Sequence, residues 1–179
     1  MDITISIITT LVLTVVNGYF SMSEMALTTA KRAVLDHEAE EGDRRAARAA
    51  ELAANSGSFL ATIQVAITLV GFASSAVAST SLSDPLAQWL SSFGIDALTM
   101  VAPGLAPVLI TLAVSYLSIV VGELVPKRIA LADAEGMAKR VAKPLTVFQK
   151  IARPLVWLTQ ASADGLARGL RIKNADDRQ

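Results

Sequence analysis

Two carboxylates in this 179-residue chain stand where long apolar runs end. Glu24 closes an uncharged stretch that begins at Ile3, and Glu123 closes another that begins at Ala97. On a helix, Asn17, Ser21 and Glu24 project from one face, and Ser115, Ser118 and Gly122 share a face just before Glu123. Ser23 adds a hydroxyl beside Glu24. Pro126 lacks the amide proton that would bond the carbonyl of Gly122, four residues back, so that oxygen is left uncovered. In lipid, a freed carbonyl must find protein, water or an ion. All of these are hard oxygen donors, suited to Mg2+, Ca2+, Mn2+ or Na+ rather than to zinc or copper. The plainer reading is that both glutamates merely end the hydrophobic runs. Their stems are short for reaching the headgroups, and small polar residues precede them, which favours a site.

The rest of the chain offers little other chemistry. It has no cysteine and a single histidine, His37, which excludes a disulfide scaffold, a thiolate metal site and a multi-histidine centre within one chain. It has no phosphate loop, Gly-rich dinucleotide turn or nucleophile elbow, so it does not read as an enzyme. Gln64 and Thr68 stand one turn apart in the middle apolar stretch. A buried amide is costly without a partner, so Gln64 joins the candidate donors. Lys127 and Arg128 directly follow Pro126. They read as anchors to anionic lipid, or, for Lys127, as a counter-ion for a carboxylate when no cation is bound.

The elements that position these residues follow from charge placement. Sixteen basic and sixteen acidic residues cancel, but every Lys and Arg falls between Lys31 and Arg48 or between Lys127 and Arg178. With 53% hydrophobic and 18% charged residues, this pattern excludes a soluble enzyme domain, a nucleic-acid binder and a disordered chain. A spanning helix needs about 20 apolar residues, and residues 3–24, 58–80 and 98–122 qualify. No basic residue precedes Ile3 and the run is too long for a secretory signal, so the first helix is expected to be retained. The positive-inside rule places both basic blocks in the cytoplasm and the loop at about 80–99 outside. A multi-pass protein of the cell (inner) membrane follows, with its N-terminus outside and its C-terminus inside. Residues 31–54 predict a pair of short cytoplasmic helices broken at Glu41-Gly42-Asp43, with Asp43 as N-cap. Residues 137–170 predict a juxtamembrane region in which Pro144 and Pro154 each start a short helix. Its part at 144–163 is expected along the inner membrane surface with Trp157 as an anchor; the alternative is a fourth, kinked span, which would put the C-terminus outside. Residues 1–170 thus form one membrane domain and 171–179 a linker. The fold class is all-α integral membrane, with three transmembrane helices, short cytoplasmic helices and an interfacial juxtamembrane helix. Three spans cannot enclose a polar path alone, so a symmetric dimer is expected.

Four motifs occur in order: Phe20-Ser-x-Ser-Glu24-x-Ala-Leu, Glu40-Glu-Gly42, Ala61-Thr-Ile-Gln-x-x-Ile-Thr-Leu-x-Gly71 and Gly122-Glu-Leu-Val-Pro-Lys-Arg128. Together they resemble the transmembrane domain of the CorC and cyclin M (CNNM) magnesium transporters, the hemolysin-like branch, over nearly the whole chain. The resemblance implies a dimeric domain that exports Mg2+ from the cytoplasm, driven by Na+ entry. It also implies an ATP-binding pair of CBS domains following this region in the full-length protein. The family's ion site falls on Ser21, Ser23 and Glu24 and on Gly122 and Glu123. Two positions depart from the pattern: Gln64, where many relatives carry paired asparagines, and Ala66, where close relatives often carry glycine.

The resulting expectation is a magnesium exporter with a dehydrating oxygen site between the first and third spans. Its ligands are drawn from Asn17, Ser21, Ser23, Glu24, Ser118, Gly122 and Glu123, with Gln64 from the second span. Mg2+ is the transported substrate and Na+ the coupling ion; the partners are a second copy and the lipid bilayer, with no nucleic acid. The alternatives are a membrane-anchoring dimerisation module that presents a regulatory domain, and a Na+ or proton channel built on the same cluster.

Overall fold

The computed structural model describes residues 2–169 of the chain; the expected linker at 171–179 lies outside them. Helix α1 runs Ile3–Thr29, α2 Arg32–Glu40, α3 Arg44–Ala54, α4 Ser56–Ser91 and α5 Asp96–Ile119. A single π-helical turn, Val120–Leu124, joins α5 to α6 (Val125–Ala132), and α7 covers Ala134–Gly169. There is no strand among the described residues. Three segments are long and apolar enough to span a membrane: α1, α4 and the continuous rod Asp96–Ala132. The protein is an all-α integral membrane domain.

α1 is built the opposite way round from a helix of a soluble protein. Its buried face is polar, with Ser6, Thr10, Thr14, Asn17 and Ser21, while Ile5, Ile8, Val12 and Val15 are exposed. Lipid is as apolar as leucine, so such a helix loses nothing by turning its aliphatic side outward. The upper hydroxyls are satisfied within the helix: Thr10 Oγ1 donates to Ser6 O at 2.8 Å and Thr14 Oγ1 to Thr10 O at 2.9 Å. Ser74 of α4 donates to the same Thr10 carbonyl at 3.4 Å, tying the first two spans together. Ala78 of α4 and Ala102 and Ala106 of α5 are fully buried, and small residues of this kind let helices approach closely.

The basic end is held by an apolar knot. Ala46, Ala49 and Ala50 of α3 pack with Ala138, Ala142 and Leu145 of α7, and Phe20 packs against Phe148 with the rings tilted and their centres 4.8 Å apart. Asp43 does cap α3, accepting from the amides of Arg45 and Ala46 at 2.7 and 3.3 Å. The reversal before it requires Gly42, whose φ of +102° is strained for any residue with a Cβ.

Helix lengths differ from the sequence reading at the prolines. α4 continues through Pro85 to Ser91, leaving only residues 92–95 between the second and third spans instead of a loop over 80–99. Pro144 and Pro154 lie inside one 36-residue helix and do not start separate ones. Both are on exposed positions, where the carbonyls they strand can be solvated, so the helix is not forced to break.

Candidate functional site

The crossing of α1 and the third span is organised by Pro126. Val125 N–H bonds to Val120 O, five residues back, and Pro126 has no N–H to give. The donors that would ordinarily serve Val121 and Gly122 are therefore diverted and missing, respectively. The π turn is the backbone's adjustment to that loss, a form that recurs at functional sites. Gly122 O finds its partner on α1, accepting from Asn17 Nδ2 at 3.2 Å across 105 residues of sequence.

Two glycines permit the approach. A Cβ on Gly18 would stand 2.9 Å from Pro126 Cγ and 3.2 Å from Val121 O. One on Gly122 would stand 3.1 Å from Asn17 Nδ2 and 3.3 Å from Thr14 O. Only at such close range can a side chain as short as asparagine reach the neighbouring backbone.

The same crossing holds unsatisfied oxygen. Asn17 is 7% exposed and Ser21 fully buried, and Asn17 Oδ1 and Ser21 Oγ have no hydrogen-bond partner among the described residues. Buried polar atoms of this kind are rare and call for an explanation. One turn further on, Lys127 Nζ lies 2.8 Å from Glu123 Oε1 and 3.6 Å from Glu24 Oε2. The ammonium relieves the repulsion that two bare carboxylates would suffer and leaves one negative charge over. Among the described residues no three His, Asp or Glu side chains converge, so any metal here would rest mainly on neutral oxygens.

Residues 7–179 match the family described as the cyclin M transmembrane N-terminal domain. The chain belongs to this family. Cyclin M domains belong to membrane-transport proteins, and the chain shares 40% identity over 92% of its length with the UPF0053 protein sll0260 of Synechocystis sp.. It is 25% identical over its full length to the UPF0053 protein YhdP of Bacillus subtilis. It is also 26% identical, over 96% of its length, to the polyamine export protein of Haemophilus influenzae. It spans 37 to 40% of the length of these three relatives.

Within this cyclin M domain the residues read from sequence divide into three groups. Asn17, Ser21 and Gly122 meet at the crossing, with Glu24 and Glu123 at its mouth. Ser23 is fully buried close by, but its hydroxyl is committed to Tyr19 O at 2.7 Å. Ser118 and Gln64 lie elsewhere. Ser118 lines a groove of about 490 Å3 with Thr68 and Ser75 of α4 and Ser115 of α5, and Gln64 is exposed on α4. Gly18 and the π turn escaped the sequence reading. The one sequence signal for Gly18 was its place beside Asn17, and the residue order does not show that it meets Pro126.

Proposed function

We propose that this chain is the transport domain of a magnesium exporter, binding Mg2+ between α1 and the π turn and releasing it outside the cell in exchange for Na+. The observation that carries the reading is the pair of buried, partnerless oxygens, Asn17 Oδ1 and Ser21 Oγ, beside the π turn and two carboxylates. Mg2+ gives up its water only for several rigidly placed oxygens, and two packed helices hold these rigidly. The positive-inside rule puts Glu24 and Glu123 at the cytoplasmic mouth.

In this mechanism Lys127 keeps the cargo-free site soluble in its surroundings. An arriving Mg2+ displaces the ammonium and neutralises both carboxylates, and the return of Lys127 helps to expel the ion. A second copy completes the path: Gln64, Thr68 and Tyr116 are exposed on span surfaces, and a partner protomer covers them from lipid. The remaining length of the relatives accommodates the CBS pair that the resemblance implies.

The test is Mg2+ flux in liposomes together with Mg2+ protection from proteolysis, for wild type, Glu123→Gln and Ser21→Ala. Loss of both in the variants is the expected result, and wild-type behaviour of both variants overturns the site. Absence of flux in the wild type favours the anchoring-module reading. A second cargo, an organic ammonium, is favoured by one observation: a primary ammonium already sits between Glu24 and Glu123. The relative named as a polyamine export protein points the same way. Competition of spermidine against Mg2+ separates the two cargoes.

A further inference from the structure

A second charged feature lies apart from the transport site. Arg45 and Arg48 of α3 and Lys139, Arg140 and Lys143 of α7 line one cleft of about 420 Å3, closed by Pro144. No carboxylate lines it. Glu38 and Asp43 flank it and hold Lys139 alone, at 2.7 and 3.9 Å. Arg45, Arg48, Arg140 and Lys143 make no ion pair among the described residues.

Four unpaired cations in one cleft repel one another, at a cost even in water. Orientation in the membrane does not require that cost, because the positive-inside rule needs cations only on one side. It does not need two helices some ninety residues apart to aim them at one point. The packed alanine faces of α3 and α7 fix the two helices, and so the stems of these side chains, side by side.

We propose that this cleft binds a ligand carrying two phosphate groups. Three guanidinium groups offer planar, paired donors that match phosphate oxygens, and two phosphates balance the four unpaired charges better than one. The cleft also opens where α7 turns amphipathic. Beyond Pro144, Ile151, Leu155 and Leu158 are exposed along one side of α7, an apolar face with which such a helix beds into a bilayer surface. A doubly phosphorylated lipid headgroup is therefore the expected source, and a free diphosphate shares its chemistry.

The test uses the purified full chain. Native mass spectrometry follows retained cardiolipin against phosphatidylcholine, and thermal melting follows added inorganic diphosphate. Cleft variants Arg140→Gln/Lys143→Gln and Arg45→Gln/Arg48→Gln remove charge from each helix in turn. Lys150→Gln/Arg153→Gln removes the same charge from α7 outside the cleft. The proposal expects a tenfold or greater loss of cardiolipin retention in both cleft variants and little change in the control. A diphosphate-induced rise in melting temperature, lost only in the cleft variants, with lipid retention equal in all, supports the same site with a soluble ligand. Equal losses in cleft and control variants, or no selective binding in either arm, overturn it.

Discussion

Two helix junctions in this domain are assembled by opposite means. The junction of α3 with α7 has an apolar, closely packed interior, in which alanines and Leu145 interlock. The junction of α1 with the π turn is polar and incomplete, with close backbones, one bond between the spans, and two oxygens left over. The first has what a scaffold needs. The second has what a site needs, because groups fully satisfied by protein would have nothing to offer a passing ion.

Breaking the scaffold gives the largest change in stability. Leu145 is fully buried, and Leu145→Ala is expected to cost about 2–5 kcal/mol, read as a large fall in melting temperature in detergent. Gly18→Ala comes next, since its Cβ would meet the Pro126 ring and Val121 O. The expected cost is about 1–3 kcal/mol, with Mg2+ flux abolished. Gly71→Ala is the control, because nothing lies within 4 Å of a Cβ there, and its melting temperature should hold or rise.

Ser21→Ala sharpens the contrast further. It removes a buried hydroxyl that has no partner, so stability should hold or rise by up to about 1 kcal/mol, while Mg2+ protection from proteolysis is lost. A clear drop in melting temperature would mean that Ser21 is structural. Lys127→Met is expected to raise the apparent affinity for Mg2+ several-fold and to slow its release, measured by single-turnover efflux.

The smallest expected effect is at the scaffold's edge. The amides of Arg45 and, more weakly, Ala46 hold the Asp43 carboxyl below the usual carboxylate range, helped by Lys139. The charged form is thus favoured by folding. Its contribution is complete above about pH 4 and fades as pH falls through the lowered folded value. Asp43→Asn should therefore differ from wild type at neutral pH and converge with it in acid, by circular dichroism.

Much of this was legible in the residue order, for identifiable reasons. Charge partition located the spans, because hydrocarbon excludes charge at any position. Asn17, Ser21 and Glu24 were visible as a helical face, and Pro126 announced a freed carbonyl at Gly122. Ser118 and Gln64 were grouped with them on polarity alone. Helical periodicity says which residues of one helix share a face, but not which neighbour that face meets. Ser118 faces α4, and Gln64 faces away from the protomer. The π turn was hidden because a one-residue change of hydrogen-bond register carries no compositional mark. Pro144 and Pro154 misled for the complementary reason: a proline bends a helix only if its orphaned carbonyl has nowhere better to go.

The polar face of α1 also bears on how the domain is made. Asn17 waits for Gly122, which is synthesised 105 residues later. Until the third span enters the bilayer, α1 holds an amide and several hydroxyls against lipid or a chaperone. A chain stalled or mutated in its third span leaves the first one unfinished. Defects far from the amino terminus are then expected to appear first as retention and degradation of the nascent protein, before any ion is ever carried.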